Sequence, residues 1–174
     1  MTSGQQILAS FIGTLFGFIF AIVLFLITNY IQRKVAKKTL KKYLNREFQY
    51  NISLLQDWMD TIDEILRKIT AKDKQIYKYV KYSDFARYFM DESFKFGIIF
   101  DLFSNEDVFK LNKVVTYCNF ALEQFINARV TKWNNCPIAE EDKLQKELLN
   151  FFEYEKTKLK DFKKNLEKSL EKIK

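Results

Sequence analysis

Side-chain catalysis needs a base, a nucleophile or a bound group, and this 174-residue sequence offers few of them. It contains no histidine, which removes Ser-His and Cys-His nucleophile pairs and any imidazole base. Cys118 and Cys136 form no C-x-x-C pattern, and two lone cysteines without histidine do not make a zinc site. They read as buried or free thiols in a reducing compartment. Four glycines cannot build a phosphate-cradling loop. Asp57, Asp60, Asp63 and Glu64 read as the solvated side of a helix, with a catalytic carboxylate–metal cluster as the surviving enzyme alternative. Tyr77, Tyr79 and Tyr82 interleave with Lys78 and Lys81. That pattern can stack on single-stranded nucleic acid, or it can simply fill a core or a subunit contact. The expectation is a protein that is not an enzyme, with no catalytic residue, metal or cofactor.

Charge is the chemistry the sequence does concentrate. Arg33, Lys34, Lys37, Lys38, Lys41, Lys42 and Arg46 account for the whole net charge of +7. All 22 acidic residues follow Arg46, and the remaining basic residues equal them in number. A pI near 9.2 therefore reports one segment and does not mark a nucleic-acid-binding domain. A second, local excess lies at Lys156–Lys174, where eight lysines face Asp161, Glu167 and Glu171.

The first basic segment follows an apolar run, Ile7 to Ile31, that ends in Asn29-Tyr30. About 20 such residues cross a hydrocarbon core of about 30 Å. The start, MTSGQQ, has no basic n-region and the run is too long for a cleaved signal peptide, so a retained single-pass helix is expected. Basic residues crowd only its C-terminal flank. The positive-inside rule then places a short N-terminus outside and residues 33–174 in the cytoplasm. Ser10, Thr14, Gly17, Ala21, Leu24 and Thr28 follow one helical stripe, which Gly13 joins as Gly13-x-x-x-Gly17-x-x-x-Ala21. Small residues let helix backbones approach closely in lipid. The stripe is the expected packing face of a homo-oligomer, and Ser10, Thr14 and Thr28 could line a lumen. Incidental glycines on a lone anchor are the plainer alternative. The seven basic residues are expected to meet anionic lipid headgroups, each contributing roughly 1 kcal/mol, with RNA contact as the sharper alternative.

Scarce glycine and proline make the rest nearly all helix. Residues 1–32 form the exterior terminus and span. Residues 33–70 form a basic juxtamembrane helix that turns into a heptad pattern. Residues 71–174 form a cytoplasmic helical bundle. Phe48, Ile52, Leu55, Met59, Ile62, Leu66 and Ile69 predict a seam that must bury against other helices, with Trp58 and Ile65 beside it. A break is expected at 70–74. Residues 76–82 read as a short strand or a helix, and Gly97 as a bend. Ser104 with Asp107 predicts a capping box opening a helix that runs to about Trp133. Pro137 near a first helical position, with Glu140, Glu141 and Asp142 behind it, announces the last helix. Leu144, Leu148, Phe151 or Phe152, Leu159, Phe162, Leu166, Leu170 and Ile173 give its apolar stripe, and its Lys/Glu-rich end is expected to be solvated and frayed.

In size and layout the whole chain resembles the small transmembrane accessory proteins of type VI-B CRISPR systems. Those have been described as divergent members of the HEPN helical superfamily. The resemblance implies an all-α, oligomeric, HEPN-like bundle behind a single span. It also implies a membrane-active role in anti-phage defence, strengthening an RNA-guided RNA-targeting nuclease by compromising the inner membrane. HEPN ribonucleases carry an Arg followed a few residues later by His. Arg87 and Arg129 are the candidates for that Arg here, and neither can have a His partner, so ribonuclease activity is not expected. A passive tether that recruits a cytoplasmic protein or RNA is the alternative function.

Overall fold

The computed structural model of the chain describes residues 3–173. Met1, Thr2 and Lys174, assigned above to the exterior terminus and the C-terminal lysine cluster, lie outside the described residues, as do the side chains of residues 3 and 5–9. Among the described residues every regular element is helical and there is no strand. In order they are α1 (Ser3–Thr70), a 3-10 turn (Tyr82–Asp84), α2 (Tyr88–Lys95), α3 (Ile99–Leu102), α4 (Asn105–Tyr117), α5 (Phe120–Asn134), a second 3-10 turn (Ile138–Glu140) and α6 (Glu141–Ile173). The chain divides into two compact units at Lys41/Lys42.

The first unit is the early part of α1. Among the described residues α1 is the one helix long and apolar enough to cross a membrane, with an apolar window of mean hydropathy 2.6, none of it buried.

The second unit is built from three long rods. The α1 part (42–70) and α6 run antiparallel. Gln145 donates to the Ile69 carbonyl at 2.8 Å, Lys156 meets Asp63 at 2.5 Å, and Lys163 donates to Gln56 Oε1 at 2.8 Å. Helices α4 and α5 lie along α6, also antiparallel to it, and share one register. Lys172 meets Asp107, Lys158 meets Tyr117, Phe151 meets Phe125, and Glu147 meets Arg129. The single helix expected from Ser104 to Trp133 is thus interrupted, while its direction is kept. The interruption lies at Cys118–Asn119, where an asparagine satisfies both broken ends. Its Nδ2 donates to the Thr116 carbonyl and its Oδ1 caps the Leu122 N–H, each at 2.9 Å. Asparagine competes with helix in this way because its side chain reaches nearby backbone groups.

The core seam of α1 follows the expected one at six of its seven positions. Phe48, Leu55, Ile62 and Ile69 are fully buried, and Met59 and Leu66 are each 7% exposed. Ile52 is only half-buried. Beside the seam Ile65 is 0% exposed and Trp58 4%, as expected, and the same row is continued by Asn51, also 0% exposed. That row passes through a polar residue, which an apolar template skips.

Residues 73–81 are neither the strand nor the helix that their aromatics suggested. They begin a strap, 73–87, that includes the first 3-10 turn and carries the chain back from the end of α1 at Thr70 to Asn51. Extended chain advances about 3.3 Å per residue against about 1.5 Å in a helix, so the strap needs fewer residues than the stretch of helix it returns along. Its backbone is satisfied by asparagine side chains in place of a neighbouring strand. Asn134 bonds both the N–H and the carbonyl of Ile76, at 3.3 and 2.8 Å. Asn127 does the same for Val80, at 3.3 and 3.1 Å, and Asn51 for Ala86, at 2.9 and 2.6 Å. A carboxamide has one acceptor and two donors, so it can satisfy both backbone groups of one residue. The strap in turn buries Ile76, Val80, Tyr82 and Phe85, with Tyr82 edge-on to Trp58 at 4.6 Å.

The break after α1 falls at Thr70 as expected, and Lys72 adopts the left-handed region, φ 56°. Gly97, φ 68°, makes the bend between α2 and α3. Ser104 and Asp107 form the reciprocal capping box, so Ser104→Ala should lower stability by about 1 kcal/mol in a thermal melt. Pro137 precedes the second 3-10 turn, so α6 proper begins later than Pro137 suggested, at Glu141. The Lys/Glu-rich face at the end of α6 is solvated as expected, with Lys164, Glu167, Lys168, Glu171 and Lys172 exposed, but the helix holds to Ile173 without fraying. Ile173 is 2% exposed and Lys172 pairs with Asp107 at 2.6 Å.

Candidate functional site

The residues with catalytic potential are used structurally. Burial pushes the Cys118 thiol up to about 12, and the Glu155 carboxylate adds to the rise, so it is no thiolate nucleophile at neutral pH. Cys118 and Cys136 are both free. Arg129 lies against two rings, Phe125 at 4.5 Å and Phe151 at 4.2 Å, and pairs with Glu147 at 3.0 Å. Arg87 is exposed and faces Asp91 at 3.7 Å, one turn along its own helix. Asp57, Asp60 and Asp63 are exposed and Glu64 half-buried on the outer side of α1. Asp63 pairs with Lys156, and Glu64 with Lys78. Among the described residues no group of three metal-ligating side chains gathers. Tyr77 and Tyr79 are exposed, whereas Tyr82 is core.

The face of small residues lies wholly in the first unit. Ser10, Gly13, Thr14, Gly17, Ala21 and Thr28 are all exposed. A Cβ added at Gly13 or Gly17 would meet nothing within 4 Å. The flanking ridges are aromatic, with Phe11, Phe16, Phe18, Phe20 and Phe25 each more than 60% exposed. Thr14 donates its hydroxyl to the Ser10 carbonyl at 2.9 Å. That bond satisfies the donor within the helix, so Thr14 can enter a dry helix contact without losing a partner. Phe11, Thr14, Leu15 and Phe18 border a shallow apolar groove of about 330 Å³.

The basic residues are spread over both units. In the first, Arg33, Lys34 and Lys38 are exposed, and Lys37 and Lys41 are half-buried. In the second, Lys42 and Arg46 are exposed, and Arg46 sits 6.0 Å from the ring centre of Tyr43. The outward side chains there suit a lipid or polyanion surface.

Two polar constructions in the second unit escaped the sequence reading. Glu47, 6% exposed, accepts the backbone N–H groups of Phe89 at 2.8 Å and Met90 at 2.9 Å, and so caps the start of α2 from a distant helix. Glu155, 3% exposed, accepts the Tyr117 hydroxyl at 2.5 Å, and Lys158 donates to the same hydroxyl at 3.2 Å. Burial and that hydrogen bond raise the Tyr117 phenol. The available signal was the gap in the α6 stripe between Phe152 and Leu159, where a helix must still turn one residue inward.

These features define the class as an all-helical protein with one candidate membrane-spanning helix and a helical unit behind it. No protein-family model, curated protein or solved structure matches the chain.

Proposed function

We propose that this chain is a membrane-anchored accessory of anti-phage defence. It oligomerises through the small-residue face of its span and forms or gates a pore in the bacterial inner membrane. It thereby enhances an RNA-guided RNA-targeting CRISPR nuclease of type VI-B. On this reading the second unit is a divergent, non-catalytic HEPN-like bundle in the cytoplasm, and the N-terminus is outside. The defence role comes from the resemblance in size and layout.

The observation that carries the oligomer is the open space around Gly13 and Gly17. A helical glycine costs about 1 kcal/mol relative to alanine in water, and nothing among the described residues uses the room these two leave. A neighbouring helix would use it, because close backbone approach supplies the packing that drives association in lipid. Closed rotational symmetry would then satisfy every such interface.

Gly13→Leu/Gly17→Leu should dissolve the oligomer in a detergent size measurement, while far-ultraviolet dichroism stays helical. Oligomers of unchanged size would sink the packing face. For the pore, dye entry into cells should need both the protein and an activated nuclease, and the double variant should abolish it. Intact membranes alongside normal partner binding would favour the passive tether.

A further inference from the structure

We propose that the open groove between α1 and α6 in the second unit is a binding site for a compact anion bearing clustered phosphoryl groups. The groove encloses about 420 Å³, within the range of about 300–1,000 Å³ common to small-ligand sites. One wall is lysine. Lys156, Lys160 and Lys164 follow each other at one-turn spacing on α6, with Lys163 beside them. Like charges four residues apart on a helix repel, so this row is unfavourable unless something anionic faces it.

The chain neutralises only half of it. Lys156 meets Asp63 at 2.5 Å. Lys163 donates to Gln56 at 2.8 Å and lies 3.9 Å from Glu167, and Gln56 in turn donates to Asp60 at 2.8 Å. These contacts hold two lysines in place. Lys160 and Lys164 are exposed, and among the described residues neither has a carboxylate within ion-pair distance. Two placed and two unneutralised ammonium groups around one hollow suit a multivalent anion.

The ligand's size follows from the rest of the lining. The opposite wall presents Gln56, Met59 and Asp63 and no aromatic ring. Single-stranded nucleic acid is held by stacking as well as by charge, and nothing here offers a ring face. Lysine ammonium groups act as compact point charges with three donors each and suit phosphoryl oxygens. The inference stands apart from the proposed membrane function, since it concerns binding alone.

The test is calorimetry on the full-length protein in non-ionic detergent with inorganic tripolyphosphate as the probe. Saturable, salt-sensitive binding is expected. Lys160→Gln/Lys164→Gln should weaken it at least about tenfold. Lys143→Gln/Lys146→Gln, of equal net charge and elsewhere on α6, should leave it unchanged. Asp63→Asn should tighten it, because it removes a negative charge from the groove. No binding, or equal losses in both lysine pairs, would overturn the site. A short single-stranded oligoribonucleotide that binds and is not displaced by tripolyphosphate would overturn the compact ligand.

Discussion

Asn51→Ala should lower the stability of the second unit by about 2–6 kcal/mol, since it strands two backbone groups at about 1–3 kcal/mol each. The carboxamide of Asn51 is fully buried and holds both the N–H and the carbonyl of Ala86. The Asn51 side chain is fully buried, so water cannot readily take its place, and the alanine also leaves a small void there. Asn127→Ala, at a half-buried site, should cost less because water can take over part of the bonding to Val80. Thermal unfolding of the full chain in detergent, followed by tryptophan fluorescence, measures the difference, since Trp58 and Trp133 are both buried. Hydrogen exchange locates it: the Ala86 amide should lose protection ahead of the α6 core. Retained protection at Ala86 would mean that the strap is held by its apolar side chains alone.

The same asparagines show where the sequence was legible. Helix content followed from the lack of breakers between Gly17 and Gly97, and the capping box at Ser104 was readable because its two residues are local. The positions Phe48, Leu55, Ile62 and Ile69 were readable because a buried helix face repeats. Asn51 and Glu155 lie on the same buried stripes, yet an apolar pattern passes over them. Their partners, Ala86 and Tyr117, are 35 and 38 residues away. No local signal ties them together, so the strap was read from its aromatics as strand or helix. It is extended because side-chain amides on two helices satisfy it, a tertiary cause that propensity does not contain. The long apolar helix and its basic flank were legible for the opposite reason. Length, hydropathy and charge asymmetry are properties of one contiguous segment, and no packing partner is needed to recognise them.

Glu47 sets the second large effect, and its size depends on pH. Glu47→Ala leaves the Phe89 and Met90 N–H groups at the start of α2 without acceptors, a loss of about 2–4 kcal/mol. It also removes the anchor beside the stack of Tyr43 on Phe89, whose centroids are 4.7 Å apart, so α2 should undock before the three rods separate. Glu47→Gln is milder, because one amide oxygen can still accept while its NH₂ faces a second N–H. Burial raises the Glu47 carboxyl above the ordinary carboxylate range. The Phe89 and Met90 N–H groups pull it down, Asp91 adds to the rise, and the net direction is upward. A carboxyl raised in the folded state contributes stability that is fully present below its unfolded pKa, and that contribution is lost as pH rises through the folded value. The wild-type chain therefore gives up part of its advantage over Glu47→Gln as pH climbs from about 4 toward neutrality. Denaturant midpoints for the two chains across that window should converge with rising pH. A gap that widens instead would mean that the two N–H groups outweigh burial, and that Glu47 is held as a stabilised anion at the head of α2.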